Sequence, residues 1–181
     1  VHTICMHSTK VIILLENVFT NKLFKNIIAL RREVFCGEEG EKAAFIKDNR
    51  DEKGYHIVCA IGAELLGCGS IYDNGNGEFE ISKIAVKRDY RKFLIGSNIL
   101  KELTTIAKEQ GAKRIVGESR AEVLDFFTKN GFPYENIAFE KDGKRYIKYN
   151  LNLVDGRQAN AEDLISSKFS ESFTDFNAVH L

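Results

Sequence analysis

The chain has 181 residues, enough for one domain of ordinary size with a sizeable core. Its 26 Lys and Arg balance 26 Asp and Glu, so the formal net charge is zero and charge gives no case for nucleic acid or an anionic membrane as partner. An apolar fraction of 44% and a charged fraction of 29% exclude a disordered chain.

The apolar run from Val11 to Leu15 predicts a first strand. It is far too short to cross a bilayer and no basic segment precedes it, so the expectation is a soluble, cytoplasmic protein with no membrane partner. Leu23, Ile27, Ile28, Leu30 and Val34 recur at helical spacing and predict a helix over 21–35. Residues 36–51 carry glycines and a charge cluster and predict loop or short helix. Strands over 56–61 and 64–72 are joined at Gly62 and Ala63, which suit a tight hairpin. Asp73 to Gly77 reads as a turn, and Glu78 to Val86 as the third strand of an antiparallel meander.

From Ile95 the period changes. Ile95, Ile99, Leu103, Ile106 and Ala107 mark one face of a helix, and Gly111 is its stop. A strand over 114–119 and a helix over 121–130 follow. Two late strands, 137–140 and 145–153, are joined through Asp142 and Gly143. The expected fold class is α/β, with a mixed central β-sheet flanked by helices. The domain is expected to end at residue 154. The 155–181 tail is rich in Ser, Asp, Glu and Asn, yet carries Ile165, Phe169 and Phe173 at helical spacing. That stripe is expected to dock on the domain or on a partner subunit, which points to a homodimer.

The four cysteines, Cys5, Cys36, Cys59 and Cys68, form no C-x-x-C pair and are expected to be buried free thiols. No His, Cys and Asp cluster has metal-ligand spacing, so no metal is expected.

Ile84, Ala85 and Val86 end a strand; Lys87 to Lys92 form a short basic loop; Ile95 opens a helix. This order suits a phosphate, because the first N–H groups of a helix lack intrahelical partners and carry partial positive charge. Arg91 and Lys92 beside them add full charge and forked donors.

These residues resemble the GNAT superfamily of acetyl-CoA-dependent N-acetyltransferases, across about 11–153. The family's strand ending in apolar-Ala-Val is matched by Ile84, Ala85 and Val86, and its Q/R-x-x-G-x-G/A by Arg91 through Gly96. A later signature, N-x-x-A-x-x-x-Y-x-K-x-G-F, corresponds to Arg120 through Phe132, with Lys129, Gly131 and Phe132 kept. The resemblance implies the acyl-CoA N-acyltransferase fold and acetyl-CoA as co-substrate. Its pantetheine arm would lie along Ile84, Ala85 and Val86, and its pyrophosphate on the N–H groups of Phe93, Leu94, Ile95, Gly96 and Ser97. Arg91 and Lys92 would flank the pyrophosphate, with Lys129 counted among the cofactor-binding residues. Leu94 stands where the family places its first glycine, and can donate its N–H only if that site keeps an ordinary right-handed backbone.

Acetyl transfer to an amine needs the neutral amine, since ammonium with a pKa of about 10.4 has no lone pair. A carboxylate can take that proton. Glu78 and Glu80 share a strand face, and the resemblance places the family's glutamate base at Glu80, with Glu78 the second candidate. A backbone N–H near Ala85 and Val86 would stabilise the oxyanion. Phe127 replaces the tyrosine that commonly protonates the leaving thiolate, leaving Tyr134, Tyr90, Tyr72 or water for that task. His56 begins a strand and is expected to be structural or solvated. Glu78, Glu80, Asp51 and Glu52 suggest an acidic rim for a cationic acceptor. The expected function is acetyl transfer from acetyl-CoA to a primary amine of a small molecule or peptide, without nucleic acid. The alternative is a non-catalytic acyl-CoA-binding or interaction module on the same fold.

Overall fold

The computed structural model describes residues 3–6, 10–15, 23–47 and 49–153. The tail stripe, with its expected docking or dimerising role, lies outside the described residues. Strands β1 (Thr3–Met6), β2 (Lys10–Leu15), β3 (Tyr55–Ile61), β4 (Glu64–Gly75), β5 (Glu78–Val86), β6 (Arg114–Arg120), β7 (Tyr134–Lys141) and β8 (Lys144–Asn152) form one sheet. Its order is β1-β2-β3-β4-β5-β6-β8-β7. Neighbours are antiparallel throughout except β5 and β6, which run parallel. The expected mixed sheet with flanking helices is what forms.

Helix α2 (Ile95–Glu109) buries Ile95, Ile99, Leu103 and Ile106 on one stripe, as its period required. It lies against Ile57, Leu66, Ile71, Phe79, Ile81 and Ile115 of the sheet. Burying each such side chain contributes about 1.5–3 kcal/mol. Gly69 permits this approach, because a Cβ there would come within 2.6 Å of the Ile99 side chain. Helix α1 (Leu23–Arg31) covers the opposite face, where Phe24, Ile27 and Leu30 pack on Val58, Leu65, Cys68 and Ala85. Helix α3 (Leu124–Lys129) follows a single 3₁₀ turn, Ala121–Val123.

Four boundaries differ from expectation. Strand β1 was not foreseen; it pairs with β2 from Thr3↔Ile13 to Met6↔Lys10. Strand β4 runs on to Gly75, and the turn contracts to Asn76 and Gly77, both with positive φ. Strand β7 starts at Tyr134, because Tyr134 already pairs with Tyr149 of β8. The first helix stops being α-helical at Arg31 and widens into a π turn over Arg32–Glu38, closed by the Glu39 N–H on the Val34 carbonyl at 3.1 Å. Cys59 and Cys68 are buried free thiols as expected, while Cys36 is half-buried. No helix among the described residues is long and apolar enough to cross a membrane.

Candidate active site

The parallel ladder between β5 and β6 is short. It joins Glu78 to Arg114, Phe79 to Ile115 and Glu80 to Val116, and then stops. Two features end it. Lys83 has φ of 57° and sits in a bulge, where β4 pairing steps from Ser70↔Ser82 to Cys68↔Ala85. The bulge switches the side-chain alternation, so Phe79, Ile81 and then Ile84 all meet the α2 core while Ala85 meets the α1 core. Tyr149 then occupies the gap: its hydroxyl donates to the Ile81 carbonyl at 3.2 Å, the first carbonyl past the ladder. Gly117 is Tyr149's partner across β6 and β8, and a Cβ on Gly117 would overlap the Tyr149 hydroxyl.

The gap opens a cleft of about 490 Å³. Among the described residues the edge of β5 beyond Glu80 has no strand partner on the β6 side, so its main chain can pair with an extended ligand as another strand would. Ile84 and Val86 line this part of the cleft, with Leu94, Gly96 and Ser97 at the start of α2. Among the described residues no side chain caps α2, which leaves its first N–H groups open to an anion. Leu94 does not keep the right-handed backbone on which donation of its N–H was conditioned: φ is 56° and ψ 12°, the left-handed conformation in which a glycine is relaxed. For leucine that conformation costs about 1–2 kcal/mol. Arg91 lines the cleft, donating to the Val86 carbonyl at 3.0 Å and to Glu38 at 3.0 Å. An unpaired strand edge, an uncapped helix start and a flanking arginine fit a pantetheine diphosphate.

The other end of the cleft is polar. Glu80 accepts two bonds from the Arg50 guanidinium, at 2.8 and 3.2 Å, and lines the cleft together with Arg50 and Lys83. The Lys83 ammonium donates to the Tyr72 hydroxyl at 3.1 Å, and Tyr72 in turn donates to Asp51 at 2.8 Å. Burial holds the Glu39 carboxyl above its usual range, against the pull of the Arg120 guanidinium. Burial also acts against ionisation of Glu41, but bonds from Lys144 and Tyr146, both 2.8 Å, hold it below the usual range.

Of the residues singled out in the sequence, Glu80, Ile84, Val86, Arg91, Leu94, Gly96 and Ser97 line the cleft. Glu78 does not: it faces the turn before β5, held by Arg114 and by Asn74 at 3.0 Å. Ala85 and Ile95 are buried in the two cores. Lys92, Phe93 and Lys129 are exposed outside the cleft lining. The acidic rim is corrected too. Asp51 is fully buried and paired with Arg31 at 3.1 Å, and Glu52 is exposed away from the cleft. His56 is fully buried and structural. Its Nε2–H donates to the Asp51 carbonyl at 2.7 Å, so Nδ1 accepts from the Ser70 hydroxyl at 2.7 Å, and burial keeps the ring neutral. Tyr72, Tyr90 and Tyr134 do not line the cleft, whereas Tyr146 and Tyr149 do. Spacing carried no sign of these two, nor of Glu39, Arg50, Lys83 or Ser119. Gly117, a glycine inside a strand, was the one available signal of a close approach. Among the described residues no three His, Cys, Asp or Glu side chains are grouped to hold a metal ion.

The sequence profile of the Acetyltransferase (GNAT) family matches residues 24–132. Uncharacterized N-acetyltransferase YjcF of Bacillus subtilis (strain 168) is 26% identical over 108 residues, which cover 60% of this chain and 76% of that protein. An acyl-CoA N-acyltransferase from Pseudomonas aeruginosa superposes with a TM-score of 0.66 at 16% identity, covering 77% of this chain and 97% of that one. A Bacillus subtilis acetyltransferase crystallised in complex with CoA gives 0.60 at 21% identity, covering 79% and 98%.

Proposed function

The chain belongs to the GNAT acetyltransferase family and is an acyl-CoA-dependent acyltransferase; from that premise we propose that it moves acetyl from acetyl-CoA to a primary amine of a small molecule. The observation that carries this reading is the placement of Glu80. Its carboxylate lines the same cleft as the unpaired β5 edge, three residues before the bulge at Lys83. A ligand strand running along 84–86 from the start of α2 brings its far end to the level of Glu80.

Acetyl-CoA supplies an activated acyl group whose thiol leaves readily, with a pKa of about 8.5. The chain's residues do the rest. The β5 edge orients the donor, and the N–H groups at the start of α2 together with Arg91 bind its diphosphate. Arg50 fixes both oxygens of Glu80 while leaving acceptor positions on each, from which Glu80 takes the proton of the amine directly or through one water. Main-chain N–H groups near Ala85 and Val86 stabilise charge on the carbonyl oxygen. Glu78 is left out of this scheme because Arg114 and Asn74 hold it at the turn.

The test is calorimetric titration with acetyl-CoA, then thiol release over a panel of primary amines. Saturable binding and CoA release with at least one amine are expected. Glu80→Gln should lower kcat/KM by about 10²–10⁴-fold with acetyl-CoA binding unchanged. Unchanged kcat/KM in that variant from about pH 6 to pH 9 removes Glu80 as the base. Binding without thiol release on any amine turns the reading to a non-catalytic acyl-CoA module.

A further inference from the structure

Among the described residues, two buried side-chain polar atoms find no hydrogen-bond partner: Nε of Arg31, the fully buried last residue of α1, and Oγ of Ser119. Ser119 lines the cleft and is 8% exposed. Buried hydroxyls are almost always partnered, so one left open in a cleft wall marks where a ligand atom belongs.

Register gives its position. β5 and β6 are parallel, with Glu80 beside Val116. Three residues further along each strand stand Lys83 and Ser119, past the end of the ladder, and both line the cleft. Ser119 also shares its sheet face with Ile115 and Gly117, the face that carries Tyr149 and Phe127. Phe127 stacks on Tyr149 with centroids 4.1 Å apart and has no proton to donate. Of the other hydroxyls in the cleft wall, that of Tyr149 donates to the Ile81 carbonyl and that of Tyr146 to Glu41, while Ser82 lies on β5 beside the bulge rather than on β6.

We propose that the Ser119 hydroxyl donates a hydrogen bond to the thioester sulfur and stabilises it as the thiolate departs. This rests on the acyltransfer reading above. In the step, the amine nitrogen forms the new C–N bond and loses its proton to Glu80. The C–S bond breaks and its electron pair goes to sulfur. Ser119 keeps its own proton and shares it with that sulfur, and the thiol takes its proton from solvent afterwards. A donor aimed at developing charge acts in the transition state more than in the ground state, so the effect falls on kcat rather than KM.

The experiment is Ser119→Ala, compared with wild type in three measurements. The variant's Tm without ligand should match or exceed that of wild type, because it loses only an unpartnered hydroxyl. Its kcat should fall by about 10–100-fold, with the KM for acetyl-CoA within about twofold. By calorimetry at about pH 9.5, where CoA is mostly thiolate, the variant should bind CoA about 10-fold more weakly than wild type, and desulfo-CoA equally well. A loss as large with desulfo-CoA as with CoA overturns the proposal and assigns Ser119 to the pantetheine arm. Unchanged kcat and unchanged CoA binding overturn it as well. If wild type binds neither CoA nor desulfo-CoA, the cofactor reading itself fails, and absence of heat with both ligands identifies that case.

Discussion

Gly117→Ala tests what keeps the cleft open. The added methyl would overlap the Tyr149 hydroxyl, and Tyr149 has nowhere easy to go. Its ring is 3% exposed, stacked on Phe127 at 4.1 Å and set edge-on to Phe132 at 5.6 Å. Overpacking of this kind costs about 1–3 kcal/mol. A displaced hydroxyl also leaves the buried Ile81 carbonyl without its bond, at a further cost of about 1 kcal/mol. The sum, about 2–4 kcal/mol, corresponds to a fall in Tm of roughly 4–16 °C for a domain of this size. Tyr149→Phe removes only the bond and should cost about 1–2 kcal/mol. In the double variant the methyl still meets the ring carbons, but the bond to the Ile81 carbonyl is lost only once, so its cost should fall short of the two single costs added by at least about 0.5 kcal/mol. Thermal melts of the four proteins followed by circular dichroism supply the cycle. Additive costs, or a Gly117→Ala melt within about 1 °C of wild type, would refute the wedge.

Leu94→Gly relieves about 1–2 kcal/mol of left-handed strain and adds about 0.5–1 kcal/mol of glycine entropy, so urea unfolding should show a gain of up to about 1.5 kcal/mol; a loss above about 0.5 kcal/mol would mean that Leu94 makes contacts its exposure conceals. Asp51→Ala strands a fully buried Arg31 guanidinium and should cost about 3–5 kcal/mol, while Arg31→Met with Asp51→Leu should recover much of that; equal losses in chemical denaturation would contradict the paired-charge account. His56 is held neutral, its pKa depressed by burial, so it binds its proton more weakly folded than unfolded. Its contribution is therefore full above about pH 6.5 and declines as the pH falls below that value toward the folded pKa. Tm measured from about pH 7.5 to pH 5 should fall less steeply in His56→Gln than in wild type, and identical slopes would exclude His56 as a source of that dependence.

Local chemistry made much of the fold legible. The buried stripe of α2 is written in Ile95, Ile99, Leu103 and Ile106, because a helix repeats every 3.6 residues and nothing distant is needed to see it. The β3–β4–β5 meander followed from alternation and turn residues, and the end of the cleft proposed to bind phosphate consists of a strand, a basic loop and a helix start adjacent in the chain. Glu80 was found because it lies on the same strand as the apolar-Ala-Val pattern.

The remainder depended on pairs far apart in sequence. Glu78 and Glu80 are equivalent by alternation, and only the end of the β5–β6 ladder separates a glutamate at a turn from one in a cleft. Asp51 read as a surface acid until Arg31, 20 positions away, was brought against it in the core. The bulge at Lys83 reverses a strand alternation that the sequence shows as unbroken. Ser119 carries no distinguishing neighbour in the chain; it stands out because its buried hydroxyl lines the cleft and finds no hydrogen-bond partner among the described residues. Contiguous residues carried the helices and most of the strands, β1 excepted, and the segment proposed to hold a diphosphate, since period, turn chemistry and local charge are properties of neighbours in the chain. Tertiary structure alone decided which polar groups are paired, which are buried and which face a ligand, because burial and partnership are set by residues that the chain brings together only on folding.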